Sequence, residues 1–148
     1  MLLSLVIPCY NEEDNVALFY EEAVRVIREH TNDFELIFIN DGSRDNTLHR
    51  LKEIAARADA CVKVVSFSRN FGKEAGIYAG LSHARGEYTC IIDADMQQRP
   101  EVAMEMLSIL QENPDVDCVT AYQKDRREGK LLTFYKNTFY KLDRKSVV

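Results

Sequence analysis

Four short, predominantly apolar runs, Leu2–Pro8, Phe34–Ile39, Val62–Phe67 and Tyr88–Ile92, limit the possible folds more than any other feature of this chain. None is long enough for a buried helix, and they lack the strict alternation of a half-solvated strand. Each therefore reads as a strand covered on both faces. Between them the apolar spacing changes to a helical one. Val16, Phe19, Tyr20, Ala23 and Ile27 share one face, preceded by cap-type and acidic residues from Tyr10 to Asn15. Asp45 or Asn46 can cap a second helix with Leu48, Leu51, Ala55 and Ala58 inward. A third runs roughly from Glu74 to Ala84, and Gly86 is expected to stop it as the glycine just past a helix end.

Pro100 opens a fourth helix at its first position, with Val102, Met106, Ile109 and Leu110 as the expected inner face. Asn113-Pro114 ends it, and Cys118–Ala121 reads as a short fifth strand. A charged loop, Gln123–Lys130, leads into an amphipathic segment bearing Leu132, Tyr135, Phe139 and Leu142. Strands alternating with helices predict an α/β fold, a three-layer sandwich on a mostly parallel, Rossmann-like sheet. The length of 148 residues predicts a single domain over 1–148.

Composition excludes some classes. Hydrophobic content of 46% and charged content of 29% suit an ordinary soluble globular chain. No apolar run approaches the roughly 18 residues of a membrane-spanning helix, and no signal peptide is visible, so a cytoplasmic location is expected. Cys9, Cys61, Cys90 and Cys118 are widely spaced in or beside apolar segments and read as reduced core thiols. His30, His49 and His83 show no ligand spacing, which argues against zinc. The formal charge of −5 is uneven: eight bases against three acids between 124 and 145 leave that segment at +5 and the remainder at −10. A basic, aromatic end on an acidic body is suited to an anionic membrane surface, or to packing as an ordinary amphipathic helix.

Polar clusters follow the first four strands: Pro8 with Asn11-Glu12, Asp41-Gly42-Ser43 with Asp45, Arg69 to Lys73, and Asp93-Ala94-Asp95 with Gln97. In a parallel sheet these lie on one edge, where ligands of open α/β folds bind. Two carboxylates and an amide at a strand end suit Mg²⁺ or Mn²⁺. Lys73 or Arg69 can neutralise phosphate. The set describes a pocket for a nucleoside diphosphate. No Gly-x-Gly-x-x-Gly follows the first strand and no P-loop is present, which excludes those nucleotide folds. A phosphohydrolase would carry an aspartyl nucleophile where this chain has Pro8-Cys9-Tyr10.

Val6-Ile7-Pro8-Cys9-Tyr10-Asn11-Glu12-Glu13, Asn40-Asp41-Gly42-Ser43-Arg44-Asp45, Arg69-Asn70-Phe71-Gly72-Lys73-Glu74 and Asp93-Ala94-Asp95-Met96-Gln97 resemble family-2 glycosyltransferases of the A-type fold. The branch they resemble includes dolichol-phosphate mannose synthase and bacterial polyprenyl-phosphate glycosyltransferases. The resemblance covers nearly the whole chain. It implies that Pro8, Tyr10, Glu12, Asp41, Ser43, Lys73, Asp93 and Ala94 bind the nucleotide, with Asp41 near the base. Asp95 would hold the metal with Gln97 as a further ligand, and Asp93 and Asp95 would form the catalytic centre together with Arg126 or Arg127 at the acceptor phosphate. Gln98-Arg99-Pro100 departs from that branch, which often has an acidic residue and a second proline there.

The reaction implied is inverting transfer from a UDP- or GDP-sugar to a polyprenyl phosphate, with Mg²⁺ or Mn²⁺ and without nucleic acid. The full-length protein would work at the cytoplasmic face of a membrane. Relatives of this kind continue beyond the last residue, so the chain reads as an N-terminal catalytic-domain part. A saccharide hydroxyl acceptor and a non-catalytic nucleotide-binding fragment are the alternatives.

Overall fold

The computed structural model describes residues 1–121 of the 148. Four strands, β1 (Leu3–Cys9), β2 (Phe34–Asn40), β3 (Cys61–Ser66) and β4 (Tyr88–Ile91), alternate with four helices, α1 (Val16–Arg28), α2 (Thr47–Arg57), α3 (Lys73–His83) and α4 (Pro100–Glu112). All pairings are parallel, in the order β3-β2-β1-β4, so every strand's carboxyl end meets the same edge. β2 follows β1 on one side and β4 lies on the other. The connection direction therefore reverses at β1, the position at which a doubly wound sheet leaves a ligand crevice.

The pleat sorts the side chains into two layers. Leu3, Leu5 and Ile7 of β1, with Phe34, Leu36 and Phe38 of β2, face α1, α2 and α4 in the main core. Phe19 of α1 meets Phe38 edge to face, with ring centroids 6.4 Å apart. Val6, Ile37 and Ile39 point the other way, towards α3. That helix buries glycines: a Cβ on Gly76 would touch Ile39 and Pro8, and one on Gly80 would lie 2.2 Å from Val6 Cγ1. With so little side chain between them, α3 and β1 approach closely.

Several expectations are corrected. The inner face of α2 is Thr47, Leu51 and Ile54, with Ala58 packed half-buried against the main core as expected, whereas Ala55 is exposed and Leu48 half-buried. On α4 the buried residues are Pro100, Ala103, Met104 and Leu107, and Ile109 is exposed. That helix is apolar around most of its girth, and contact with α1 selects the stripe that is buried. Met106 and Leu110 instead line an apolar gap of about 90 Å³ beside Tyr88 and Cys90.

Gly86 is not a left-handed cap, since the positive-φ glycines are Gly42 and Gly72. Its role is close approach: a Cβ there would lie 2.5 Å from the Ser4 amide. β4 alternates half-buried and exposed residues, because α3 lies over β1 and β2 and leaves Ile91 42% exposed. Cys118–Ala121 forms no strand. Four residues offer few ladder bonds, and only Val119 is partly buried, against the apolar gap. Among the cysteines only Cys9 is core; Cys90 is half-buried, and Cys61 and Cys118 are exposed at the ends of their segments. The expected amphipathic segment carrying Leu132 to Leu142 lies outside the described residues.

Away from the polar edge, Glu35 of β2 is fully buried. Its carboxylate accepts from the Ser4 hydroxyl at 2.7 Å and the Arg85 amide at 2.8 Å, and it pairs with the Lys63 ammonium. Burial alone would raise its pKa, but Lys63, Ser4 and the Arg85 amide outweigh it and hold the carboxyl below the usual glutamate range.

Candidate donor site at the carboxyl edge of the sheet

The loops after β1 and β2 are joined by side chains bonding to backbone. The Asn11 amide donates to Ser43 Oγ at 3.0 Å, and Asn11 Oδ1 accepts from the Arg44 amide at 2.9 Å. Asn11 adopts φ +55°, a left-handed conformation that asparagine tolerates better than most residues. The Glu12 amide donates to Thr47 Oγ1 at 2.8 Å, and the Glu13 amide to Asp45 Oδ2 at 3.2 Å. Asp45 also accepts from the Thr47 amide at 3.0 Å, so of the two expected caps of α2 it is Asp45, one residue before Asn46, that supplies the side-chain bond. Burial alone would raise the Asp45 pKa; the Thr47 hydroxyl and amide and the Glu13 amide prevail and lower it. Glu12 Oε2 accepts from the Asn15 side-chain amide at 2.7 Å, which fixes the glutamate at the start of α1.

Asp41 joins the third loop to this pair. It is buried at the end of β2, where its amide donates to the Cys9 carbonyl at 2.9 Å. Its two carboxylate oxygens accept the Phe71 and Gly72 amides at 2.7 and 2.9 Å. Gly42, at φ +62°, leaves no room for a Cβ, which would lie 2.2 Å from the Arg69 carbonyl carbon. Arg69 stacks over the Phe71 ring at 4.8 Å, and Phe71 packs edge-on against Phe67. The loop from Arg69 to Gly72 is thus held down on β2. Gly72 then turns at φ +98° into α3, whose first residue is Lys73.

Lys73 Nζ reaches both oxygens of Asp93 at 2.7 Å, linking the loops after β3 and β4. Asp93 is mostly buried, with 28% of its side chain exposed, and Lys73 is 56% exposed. Beyond Asp93 the chain makes a tight turn. Ala94 is buried in the main core, Met96 sits at φ +61°, and the Gln97 amide donates to Asp95 Oδ1 at 3.0 Å. The Ala94 side chain therefore faces away from a ligand, and its backbone is what the site can use. Pro8 is half-buried at the end of β1, Tyr10 is 42% exposed, and Ser43 is engaged by Asn11. Arg126 and Arg127 lie outside the described residues.

Cys9 lies beneath this edge. Burial chiefly, then the charges of Glu12 and Asp93, push its thiol pKa far up, so it stays protonated and is no nucleophile at neutral pH. After β4 the residue types that could offer oxygen to a metal are Asp93, itself paired with Lys73, Asp95 and Gln97. No cluster of three His, Cys, Asp or Glu side chains suited to a metal occurs among the described residues. That is too sparse for an all-protein cage. It fits Mg²⁺ or Mn²⁺ held by one or two carboxylates together with substrate phosphates.

Three features of the site were not read from the sequence: the grip of Asp41 on two loop amides, the Thr47 hydroxyl as acceptor for Glu12, and the Lys73–Asp93 pair. The first left one signal, a glycine next to an aspartate at the end of a buried strand. The others join residues 35 and 20 positions apart and left none.

Comparison with known proteins agrees with the fold. The family described as "Glycosyl transferase family 2" matches residues 4–146. A bactoprenol glucosyl transferase of Shigella phage SfV is 40% identical over 147 residues, covering 98% of this chain and 47% of the relative. Staphylococcus aureus TarS, solved with UDP-GlcNAc, superposes with a TM-score of 0.65 at 22% identity, over 86% of this chain and 39% of that one. The mannosyltransferase PcManGT from Pyrobaculum calidifontis, solved with GDP-Man and Mn²⁺, gives a TM-score of 0.52 at 28% identity, over 63% of this chain and 27% of that one. The chain spans a little under half the length of the curated relatives it matches.

Proposed function

The chain belongs to glycosyl transferase family 2, with the GT-A-type fold, and from that premise we propose that it forms the donor-binding part of a polyprenyl-phosphate glycosyltransferase. The donor is a UDP- or GDP-linked sugar and the acceptor a lipid phosphate. The observation that carries this reading is that the loops bearing Asp41, Lys73, Asp93 and Asp95 all open at one sheet edge. Similarity to a bactoprenol glucosyl transferase over nearly the whole chain supports the choice of acceptor.

In this proposal Pro8, Tyr10, Glu12, Asp41 and Ser43 form the nucleotide side of the crevice. Lys73 would neutralise the diphosphate, and Asp93 would face the ribose. Asp95, with Gln97, would hold Mg²⁺ or Mn²⁺, which when bound supplies Lewis-acid stabilisation of the leaving diphosphate. An acceptor phosphate oxygen attacks the anomeric carbon from the side opposite the diphosphate. The carbon–oxygen bond to the nucleotide breaks, its electron pair leaves with the diphosphate, and the configuration inverts. A lipid phosphate is already anionic near neutral pH, so no general base is required. Arg126 or Arg127 is proposed to meet the acceptor phosphate, and the basic stretch from 124 to 145 to lie at an anionic membrane surface.

Calorimetry with UDP or GDP in the presence of Mn²⁺ tests the donor site. Saturable heat that disappears in Asp95→Ala is expected; no heat with either nucleotide would refute the reading. Labelled nucleotide-sugars offered with polyprenyl phosphate or soluble saccharides then test the acceptor. Label extracting with the lipid supports the proposal, whereas label on a saccharide favours the hydroxyl-acceptor alternative. Tight nucleotide binding without transfer or donor hydrolysis favours a binding module.

A further inference from the structure

The Lys73–Asp93 pair places an ammonium against one of the two carboxylates proposed to serve donor and metal, two residues before Asp95. The position of this ammonium is set from below. Asp41 holds the Phe71 and Gly72 amides, and Lys73 is the first helical residue after them. Paired with Asp93, Lys73 occupies charge that a cation at Asp95 would otherwise meet. A nucleoside diphosphate would bring a competing anion to the same ammonium. Resting on the nucleotide-sugar reading above, we propose that Lys73 couples the two ligands: paired with Asp93 it opposes a cation at Asp95, and it lifts that opposition when diphosphate draws its ammonium away.

The coupling follows from charge. A divalent cation near Asp95 is repelled by the ammonium and deprived of half the local negative charge while the pair is closed. Because Lys73 is more than half exposed, water and salt weaken the repulsion, and a change on the order of three- to tenfold in metal affinity is expected rather than a larger one. Linkage makes the effect reciprocal: whatever factor the nucleotide adds to metal affinity, the metal adds to nucleotide affinity.

The experiment measures Mn²⁺ binding, by calorimetry or by the loss of the free-ion paramagnetic signal, for the wild-type chain, Lys73→Met and Lys73→Arg. Each is titrated alone and with UDP or GDP. The wild type is expected to bind Mn²⁺ weakly alone and more tightly with nucleotide. Lys73→Met should bind Mn²⁺ alone about three to ten times more tightly than wild type, with the gain from nucleotide reduced or gone. Lys73→Arg should follow wild type, since it keeps the charge. Equal or weaker Mn²⁺ binding by Lys73→Met overturns the proposal, as does an undiminished gain from nucleotide. If neither nucleotide binds wild type, the donor reading fails, and the metal-alone comparison still decides whether the ion pair opposes the cation.

Discussion

Replacing Asp41 by asparagine isolates the contribution of one carboxylate that ties two loops together. The side chain is buried, with 4% of the residue exposed, and its oxygens accept the Phe71 and Gly72 amides at 2.7 and 2.9 Å. Hydrogen bonds to a charged group contribute about 1.5–3 kcal/mol each. Asparagine keeps the shape and one acceptor oxygen, but its NH₂ then faces a backbone N–H, donor against donor. One bond is lost outright and the other loses its charge, so the loss is expected to be about 2–4 kcal/mol. Against a total stability of about 5–15 kcal/mol for a domain, the variant should still fold.

Urea denaturation gives the free-energy loss, and amide hydrogen exchange shows where it falls. Exchange should accelerate at Phe71 and Gly72 more than in β1 or β2. Nucleotide affinity should fall as well, because Lys73 begins at the loosened turn. If the urea midpoint and the protection of Phe71 and Gly72 both stay at wild-type values, the carboxylate does not hold the loop and the reasoning is wrong.

Three further predictions concern the frame of the site. Lys63→Met should destabilise by about 3–5 kcal/mol in urea melts at pH 7, because it leaves the buried Glu35 charge without its partner. The Glu35 carboxyl is held below its ordinary value, so its stabilisation is complete above the unfolded pKa of about 4.3 and is lost as pH falls through the lower folded value. Melts of wild type and Lys63→Met should therefore converge on acidification below about pH 4, and parallel curves would exclude the pair as the cause. Gly80→Ala should cost about 1–3 kcal/mol despite the better helix propensity of alanine, since its Cβ would sit 2.2 Å from Val6 Cγ1. Adding Val6→Ala should recover part of that loss in a double-mutant cycle, and strict additivity would show the contact is not the source.

The parts of the fold legible in the sequence were those in which one physical demand dominates. β1 and β2 had continuous apolar runs because both faces are covered, and α1 presented a single apolar stripe whose five expected residues are all buried. Legibility failed where two demands compete. α4 carries apolar residues on two stripes, and only its contact with α1 decides between Leu107 and Ile109. Thr47, a polar residue outside the apolar spacing, is buried with its hydroxyl serving the Glu12 amide. Gly86 resembled a cap, and the need it meets is space beside Ser4, which no local pattern encodes. For the site, the periodic return of polar clusters after each strand located the edge. Cross-loop bonds such as Asp41 to Phe71 depend on the strand order β3-β2-β1-β4, and local spacing carries no record of it.

The two buried glycines of α3 have a consequence beyond packing. They act as a spacer of minimal thickness, fixing how far the helix stands above β1 and β2. Because Lys73 is the first residue of that helix, this thickness also sets the height of its ammonium relative to the strand tips. A bulkier residue at position 80, where a Cβ would press on Val6, would lift the helix like a shim under a beam and draw the Lys73 ammonium away from Asp93. Residues in the middle of the helix, with no contact to any ligand, thereby calibrate the charge balance of the crevice.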